Sequence, residues 1–170
     1  MSLPSVESLI EKLTQALTPY FCSPESKPLI VGIETGGVWI AEQLRQRIAP
    51  ESELGRLDIS FYRDDFTRSG LNPTVKPSNL PTNIDEQTII LVDDVLQSGR
   101  TIRAAMNEIF DYGRPKKIIL AILIDRGQRE IPIQADFVGA SLSLDSSSHI
   151  KLEGPESLKL VVKTLDSHVE

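Results

Sequence analysis

Three short apolar runs constrain this chain more than any other feature: Leu29–Ile33, Ile89–Val92 and Ile118–Ile124. A strand that is apolar at every position must be covered on both faces. Sheets covered on both faces are typically parallel, with helices packed over them. The intervening patterns agree. Val38, Ile40, Ala41, Leu44 and Ile48 recur at helical spacing and stop at Pro50; Ile102, Ala105, Met106, Ile109 and Phe110 do so before Gly113 and Pro115. Val6, Leu9, Ile10, Leu13 and Leu17 predict an amphipathic helix over 5–17, followed by a loop to residue 27. Leu57, Ile59 and Phe61 alternate with polar residues, as in a half-buried strand. Phe137–Gly139 and Ile150–Leu152 predict short later strands, and Leu160–Val162 fits strand or helix. This order predicts one α/β domain over 1–170, with a mostly parallel sheet flanked by helices. In such sheets ligands gather beyond the carboxyl ends of the strands, where residues 34–37 and 93–101 emerge.

Composition removes several function classes. With 170 residues, the chain can bury a core without disulfides or metals. Its single cysteine, Cys22, allows no internal disulfide and points to a reducing, cytoplasmic setting. One Cys and two His cannot supply a Cys/His zinc site. Glu7, Glu11 and Lys12 break any signal-peptide core, and no run approaches a membrane span, so no membrane partner is expected. The net charge of −6 argues against a nucleic-acid-binding surface over the whole molecule. Between Arg100 and Arg129, however, seven basic residues face three acidic ones, a local excess of +4. That island reads either as a solvated face or as a local anion site.

The segment Ile89–Thr101 carries the chemistry. It runs from a buried strand through Asp93 and Asp94 into Val95, Leu96, Gln97, Ser98, Gly99, Arg100 and Thr101, where a helix opens. The first N–H groups of a helix have no helical partner, and together with the helix dipole they attract phosphate. Gly99 permits close backbone approach, while Ser98 and Thr101 add hydroxyl donors. Two carboxylates beside a phosphate repel it, so Asp93 and Asp94 suit sugar hydroxyls or hydrated Mg²⁺. A phosphorylated ribose satisfies both halves. The alternative is a pair of capping carboxylates at a strand end. Neither a P-loop nor a Gly-x-Gly-x-x-Gly fingerprint is present. Residues 63–85 carry Pro73, Pro77 and Pro81 without apolar periodicity, which reads as a flexible functional loop or a disordered insertion.

Residues 89–101 resemble the phosphoribosyl-pyrophosphate signature of type I phosphoribosyltransferases. The chain further resembles the bifunctional pyrimidine-operon regulatory protein/uracil phosphoribosyltransferase family at Leu29–Ile33 with Thr35 and Gly37, Asp58–Asp65, Val92–Leu96 through Arg103-Ala104, Gly113-Arg114-Pro115, and Asp125-Arg126-Gly127 with Arg129–Ile133. Tyr62–Asp65 and the Asp125–Ile133 stretch are what narrow the resemblance to it. The similarity runs from about Leu29 to Gly139.

The resemblance implies a type I phosphoribosyltransferase fold with a flexible loop and a small hood over 125–150. It implies that uracil and phosphoribosyl pyrophosphate give UMP and pyrophosphate, with Mg²⁺ reached through Asp93 and Asp94. Residues 95–101 would hold the 5′-phosphate, and Thr35, Gly36 and Gly37 the pyrophosphate. Asp93, Asp94 and Arg63 would be catalytic, and Arg68 and Lys76 would act from a loop, 63–80, that closes on the leaving group. Arg126, either a lid or an ion-pair partner of Asp125, would meet the base with Phe137 and Val138; a plain core role for Phe137 is the alternative. Two departures stand out: Gly36 where the family often has Arg, and Gln128 where it commonly has His. The implied second role is regulation of pyrimidine genes in response to UMP or UTP, through leader RNA bound weakly and salt-sensitively. A regulator with little catalysis and a purine-type transferase are the competing readings. Assembly as a homodimer or larger is expected.

Overall fold

The computed structural model describes residues 2–60, 78–81 and 83–164. Arg63, Arg68, Lys76 and most of the 63–85 segment lie outside the described residues. Helix α1 (Val6–Leu17) is amphipathic as predicted. Ser5 caps it, its hydroxyl accepting from the Ser8 N–H at 3.1 Å. A short 3₁₀ turn, Thr18–Phe21, leads to β1 (Leu29–Ile33), which is buried at every position. Helix α2 (Gly36–Ile48) starts two residues before its first apolar contact, and α3 covers Arg100–Tyr112.

Five parallel strands form the main sheet in the order β2-β1-β3-β4-β5. They are β1, β2 (Leu54–Leu57), β3 (Thr88–Leu96), β4 (Lys117–Asp125) and β5 (Phe137–Ser141). Alternate residues feed two cores. Ile30, Ile90, Val92 and Ala121 pack with α1 and α2 on one face; Val31, Leu91, Leu120 and Ile122 pack with Ile102, Ala105 and Ile109 of α3 on the other. Two-sided burial is what made the strands continuous apolar runs.

Two sequence expectations change, and one open choice is resolved. The strand placed at 57–61 is β2, at 54–57. Its burial alternation continues through Ile59, but its pairing with β1 ends at Ile33 and Leu57, because the chain leaves β1 there. Strand β3 does not stop at Val92: it runs through both aspartates to Leu96, paired with β4 as far as Asp125. The 160–162 segment, open between strand and helix from sequence, is strand: β6 (Ser148–Glu153) pairs antiparallel with β7 (Lys159–Thr164) in a separate two-stranded unit. Among the described residues, no helix is long and apolar enough to cross a membrane.

Candidate active site

The strand order reverses about β1 and β3, and there the carboxyl edge opens. Pairing of β1 with β3 ends at Gly32 and Val92. Beyond that point β3 continues against β4 alone, while the other chain turns through Glu34 and Thr35 into α2. Asp93 and Asp94 therefore sit on the strand edge that β1 has vacated. Their backbones are fixed locally: Asp93 Oδ1 accepts from the Asp94 N–H and Asp94 Oδ1 from the Val95 N–H, both at 2.9 Å. Gly37 packs on the backbone of Val92 and Asp93. A Cβ on Gly36 would collide with the Asp94 carboxylate. The glycine at position 36 thus lets Asp94 reach the loop, and residues 34–37 carry no cation of their own.

A cavity of about 460 Å³ opens at this edge. One wall is Glu34, Thr35 and Gly36; the floor is Asp93, Asp94 and Val95; the far wall is Trp39 with Ile150, Lys151 and Leu152 of β6. A second cavity of about 240 Å³ is formed by Val95–Gly99, Thr101 and Ile102. Val95 lines both cavities. The structure thus brings the expected 95–99 and 101 positions around one hollow, next to the two carboxylates.

Helix ends distinguish the site from the scaffold. Scaffold helix α1 has a side-chain cap, whereas Thr35 and Gly99, at the N-caps of α2 and α3, make no side-chain cap bond. Both helices at the carboxyl edge keep N–H groups available to an anion. Gly99 has φ +91°, a left-handed conformation, and a Cβ there would lie 3.0 Å from Ile131 and Ile133. Arg100, expected among the phosphate ligands, makes an ion pair with Glu130. That pair is half exposed on both sides and adds little stability.

The expected base-side residues separate. Phe137 is paired with Ala121 and Val138 with Ile122, well before the sheet's carboxyl edge at Asp125 and Ser141. Phe137 packs edge-on against Tyr20, with ring centroids 5.9 Å apart, and joins the α1/α2 core. Residues 150–152 and Trp39 occupy the cavity wall instead. Sequence reasoning found the strand at 150–152 but had no signal for its position, because β6 lies outside the main sheet.

Arg126 is buried at 4% exposure, and its Nε has no partner. Its Nη1 donates to Gln97 Oε1 at 3.3 Å and its Nη2 to the Asp145 carbonyl at 3.4 Å. It is not the partner of Asp125. Arg129 takes that place with a two-pronged contact of 2.9 and 2.7 Å. Hydrogen bonding from Arg129 outweighs partial burial, and with the Gly127 N–H it holds the Asp125 carboxyl below its usual range.

No cluster of three or more metal-ligating side chains occurs among the described residues. Two adjacent carboxylates at an open edge do fit a hydrated Mg²⁺ that arrives with phosphate oxygens, rather than an ion caged by protein.

Residues 2–162 match the phosphoribosyl transferase domain family. The chain belongs to that family. The Bifunctional protein PyrR of Pseudomonas paraeruginosa is 51% identical over 97% of this chain and 98% of its own length. The Bifunctional protein PyrR of Pseudomonas fluorescens strain Pf-5 is 48% identical over 97% and 99%. Among solved structures, a hypoxanthine-guanine phosphoribosyltransferase from Bacillus anthracis superposes with a TM-score of 0.65 at 23% identity, covering 84% of this chain and 83% of that one. A purine phosphoribosyltransferase from Pyrococcus horikoshii gives 0.60 at 23%, covering 80% of each. These likenesses show the type I phosphoribosyltransferase fold.

Proposed function

We propose that this chain is a uracil phosphoribosyltransferase that also regulates pyrimidine genes. The observation that carries the transferase reading is the shared wall at Val95: on one side a loop that opens a helix and has N–H groups unpartnered among the described residues, on the other two aspartates. A 5′-phosphate on residues 97–101 directs the ribose across Val95 toward Asp93 and Asp94. The carboxylates accept from the ribose hydroxyls and favour positive charge on the sugar as the bond to pyrophosphate breaks. The anomeric carbon then bonds to the uracil nitrogen, whose proton passes to the departing pyrophosphate or to water. The leaving pyrophosphate meets the N–H groups at Thr35–Gly37. Mg²⁺, when bound through Asp93 and Asp94, supplies charge neutralisation for the diphosphate. Uracil fits between Val95 and the β6 wall, where main-chain groups near Ile150 can read its N–H and carbonyls. Arg126, held by Gln97 and the Asp145 carbonyl, belongs to the base side of this reading from sequence alone. Arg63, Arg68 and Lys76, proposed from sequence alone, supply cations from a closing loop.

The regulatory half rests on the bifunctional relatives and on a difference among the cations. Arg129 and Arg100 are paired within the protein, while Arg103, Arg114, Lys116 and Lys117 are exposed, with no side-chain ion pair among the described residues. Arg103 lies in the first turn of α3 and the other three beyond its far end, about 20 Å away for a 13-residue helix. Four divided cations on a chain of −6 predict weak, salt-sensitive contact with leader RNA, modulated by UMP or UTP. Association of two or more copies is part of this reading, and Phe110, 56% exposed on α3, suits a surface between them. The test is a panel of uracil, hypoxanthine, guanine and adenine with phosphoribosyl pyrophosphate and Mg²⁺. UMP as the dominant product is expected; a purine nucleotide would overturn the reading.

A further inference from the structure

The phosphate loop is shaped from behind by residues 125–133, which the sequence had assigned to the hood. Three consecutive carbonyls of the loop are claimed by that segment. The Leu96 carbonyl accepts from the Arg126 N–H at 3.0 Å, and the Ser98 carbonyl from the N–H groups of Glu130 and Ile131 at 3.0 and 3.3 Å. Between them, the Gln97 carbonyl accepts from Arg129 Nη1 at 3.0 Å. A trans peptide points its C=O and its following N–H in opposite directions. Turning the carbonyls of 96, 97 and 98 toward the segment therefore turns the N–H groups of Gln97, Ser98 and Gly99 away from it. None of these three N–H groups has a partner among the described residues. They belong to the residues that line the 240 Å³ cavity.

Two of the three carbonyls are held by backbone donors that any sequence could supply. The middle one is held by a side chain, so it depends on a particular residue. Arg129 is suited to the task because its fork is fixed at every prong. Asp125 takes two contacts at 2.9 and 2.7 Å, and the Ile133 carbonyl accepts from Nε at 2.7 Å. Asp125 is anchored in turn by the end of β4 and by the Gly127 N–H at 2.9 Å. The turn that returns Arg129 to the loop uses positive φ at Gly127 (+71°) and at Gln128 (+62°). The second of these costs a side-chain-bearing residue about 1 kcal/mol.

We infer that Arg129, clamped by Asp125, is a positioning residue: it fixes the Gln97 peptide so that the loop presents its N–H groups to the 5′-phosphate. This rests on the reading of residues 97–101 as the phosphate cradle. Arg129 does not touch substrate in this scheme. Lysine cannot replace it, because an ammonium lacks the planar fork needed to hold a carboxylate and a carbonyl together.

The experiment measures binding of ribose 5-phosphate by calorimetry, and the KM values for phosphoribosyl pyrophosphate and for uracil. The proteins are wild type, Arg129→Gln, Arg129→Lys, Asp125→Asn and the Arg129→Gln/Asp125→Asn double variant. The clamp predicts a loss of ribose 5-phosphate affinity of ~10- to 100-fold in each single variant. It also predicts a matching rise in KM for phosphoribosyl pyrophosphate and a KM for uracil within about twofold of wild type. The double variant should lose no more than the worse single one. Unchanged ribose 5-phosphate affinity in Arg129→Gln overturns the clamp, as does recovery by Arg129→Lys or an equal rise in both KM values. If Arg129→Gln does not fold, Asp125→Asn decides on the same readouts. Failure of wild type itself to bind ribose 5-phosphate overturns the cradle reading, and the clamp with it.

Discussion

The loop at 97–101 and the loop at 34–37 leave the carboxyl ends of neighbouring buried strands, and each opens a helix whose N-cap residue makes no side-chain cap bond. Their surroundings differ. The 97–101 loop is backed by residues 125–133, its carbonyls are tied down, and its charges are paired as Arg100–Glu130 and Arg129–Asp125. The 34–37 loop faces Asp94 across Gly36, with Asp93 and Glu34 lining the same cavity. Lys151 is the one cation among the described residues lining that cavity, and Arg56 lies 3.9 Å from Glu34. One loop has its carbonyls and charges taken up within the protein; the other lies among carboxylates, so the pyrophosphate proposed there needs its charge offset by an ion it carries. On the proposed function, similar strand–loop–helix units do different work because of what packs behind them.

The largest expected effect comes from the acidic side. Replacing both Asp93→Asn and Asp94→Asn should reduce transfer by ~10²-fold or more, while circular dichroism and the melting midpoint stay near wild type. Near-wild-type turnover in that variant would remove the ribose-site assignment.

Two glycine variants sharpen the contrast. Gly36→Ala forces the Asp94 carboxylate to shift, so kcat should fall about 10-fold, with a smaller loss of ribose 5-phosphate affinity than Gly99→Ala causes, because the 97–101 loop is left in place. Gly99→Ala adds a Cβ at positive φ against Ile131 and Ile133, so ribose 5-phosphate affinity should fall and stability should drop by about 1–3 kcal/mol. Identical profiles for the two variants would erase the distinction between the loops.

The smallest effect is on pH. The folded-state pKa of Asp125 is depressed, first by hydrogen bonding to Arg129, so its contribution is complete above the unfolded value of about 4. That contribution is lost as pH falls through the lower folded value. The melting-midpoint gap between wild type and Asp125→Asn should be constant near neutrality and shrink below about pH 4. A gap that widens on acidification would contradict the pair.

Much of this was legible in the chain. Strands β1, β3 and β4 announced themselves because two-sided burial leaves an unbroken apolar run, and the 89–101 pattern put a helix start just beyond two carboxylates, as the structure has it. What the sequence could not show was tertiary. The alternation through Ile59 is real burial, but it outlasts the strand. Phe137, legible as either a base contact or a core aromatic, packs against the core, where the register of β5 keeps it short of the carboxyl edge. Residues 150–152 reach the cavity only because a separate hairpin folds against the site. The Asp125–Arg129 pair, four residues apart, gave no sign that its target was the Gln97 carbonyl.

The difference between the loops is tested most directly by titrating ribose 5-phosphate and pyrophosphate separately, each with Mg²⁺ and each with a chelator. Ribose 5-phosphate should bind equally well in both conditions, while pyrophosphate should lose at least ~10-fold in affinity when Mg²⁺ is removed, because no metal ion then offsets its charge beside Glu34, Asp93 and Asp94. Pyrophosphate binding that is indifferent to Mg²⁺, or ribose 5-phosphate binding that requires it, would contradict the account.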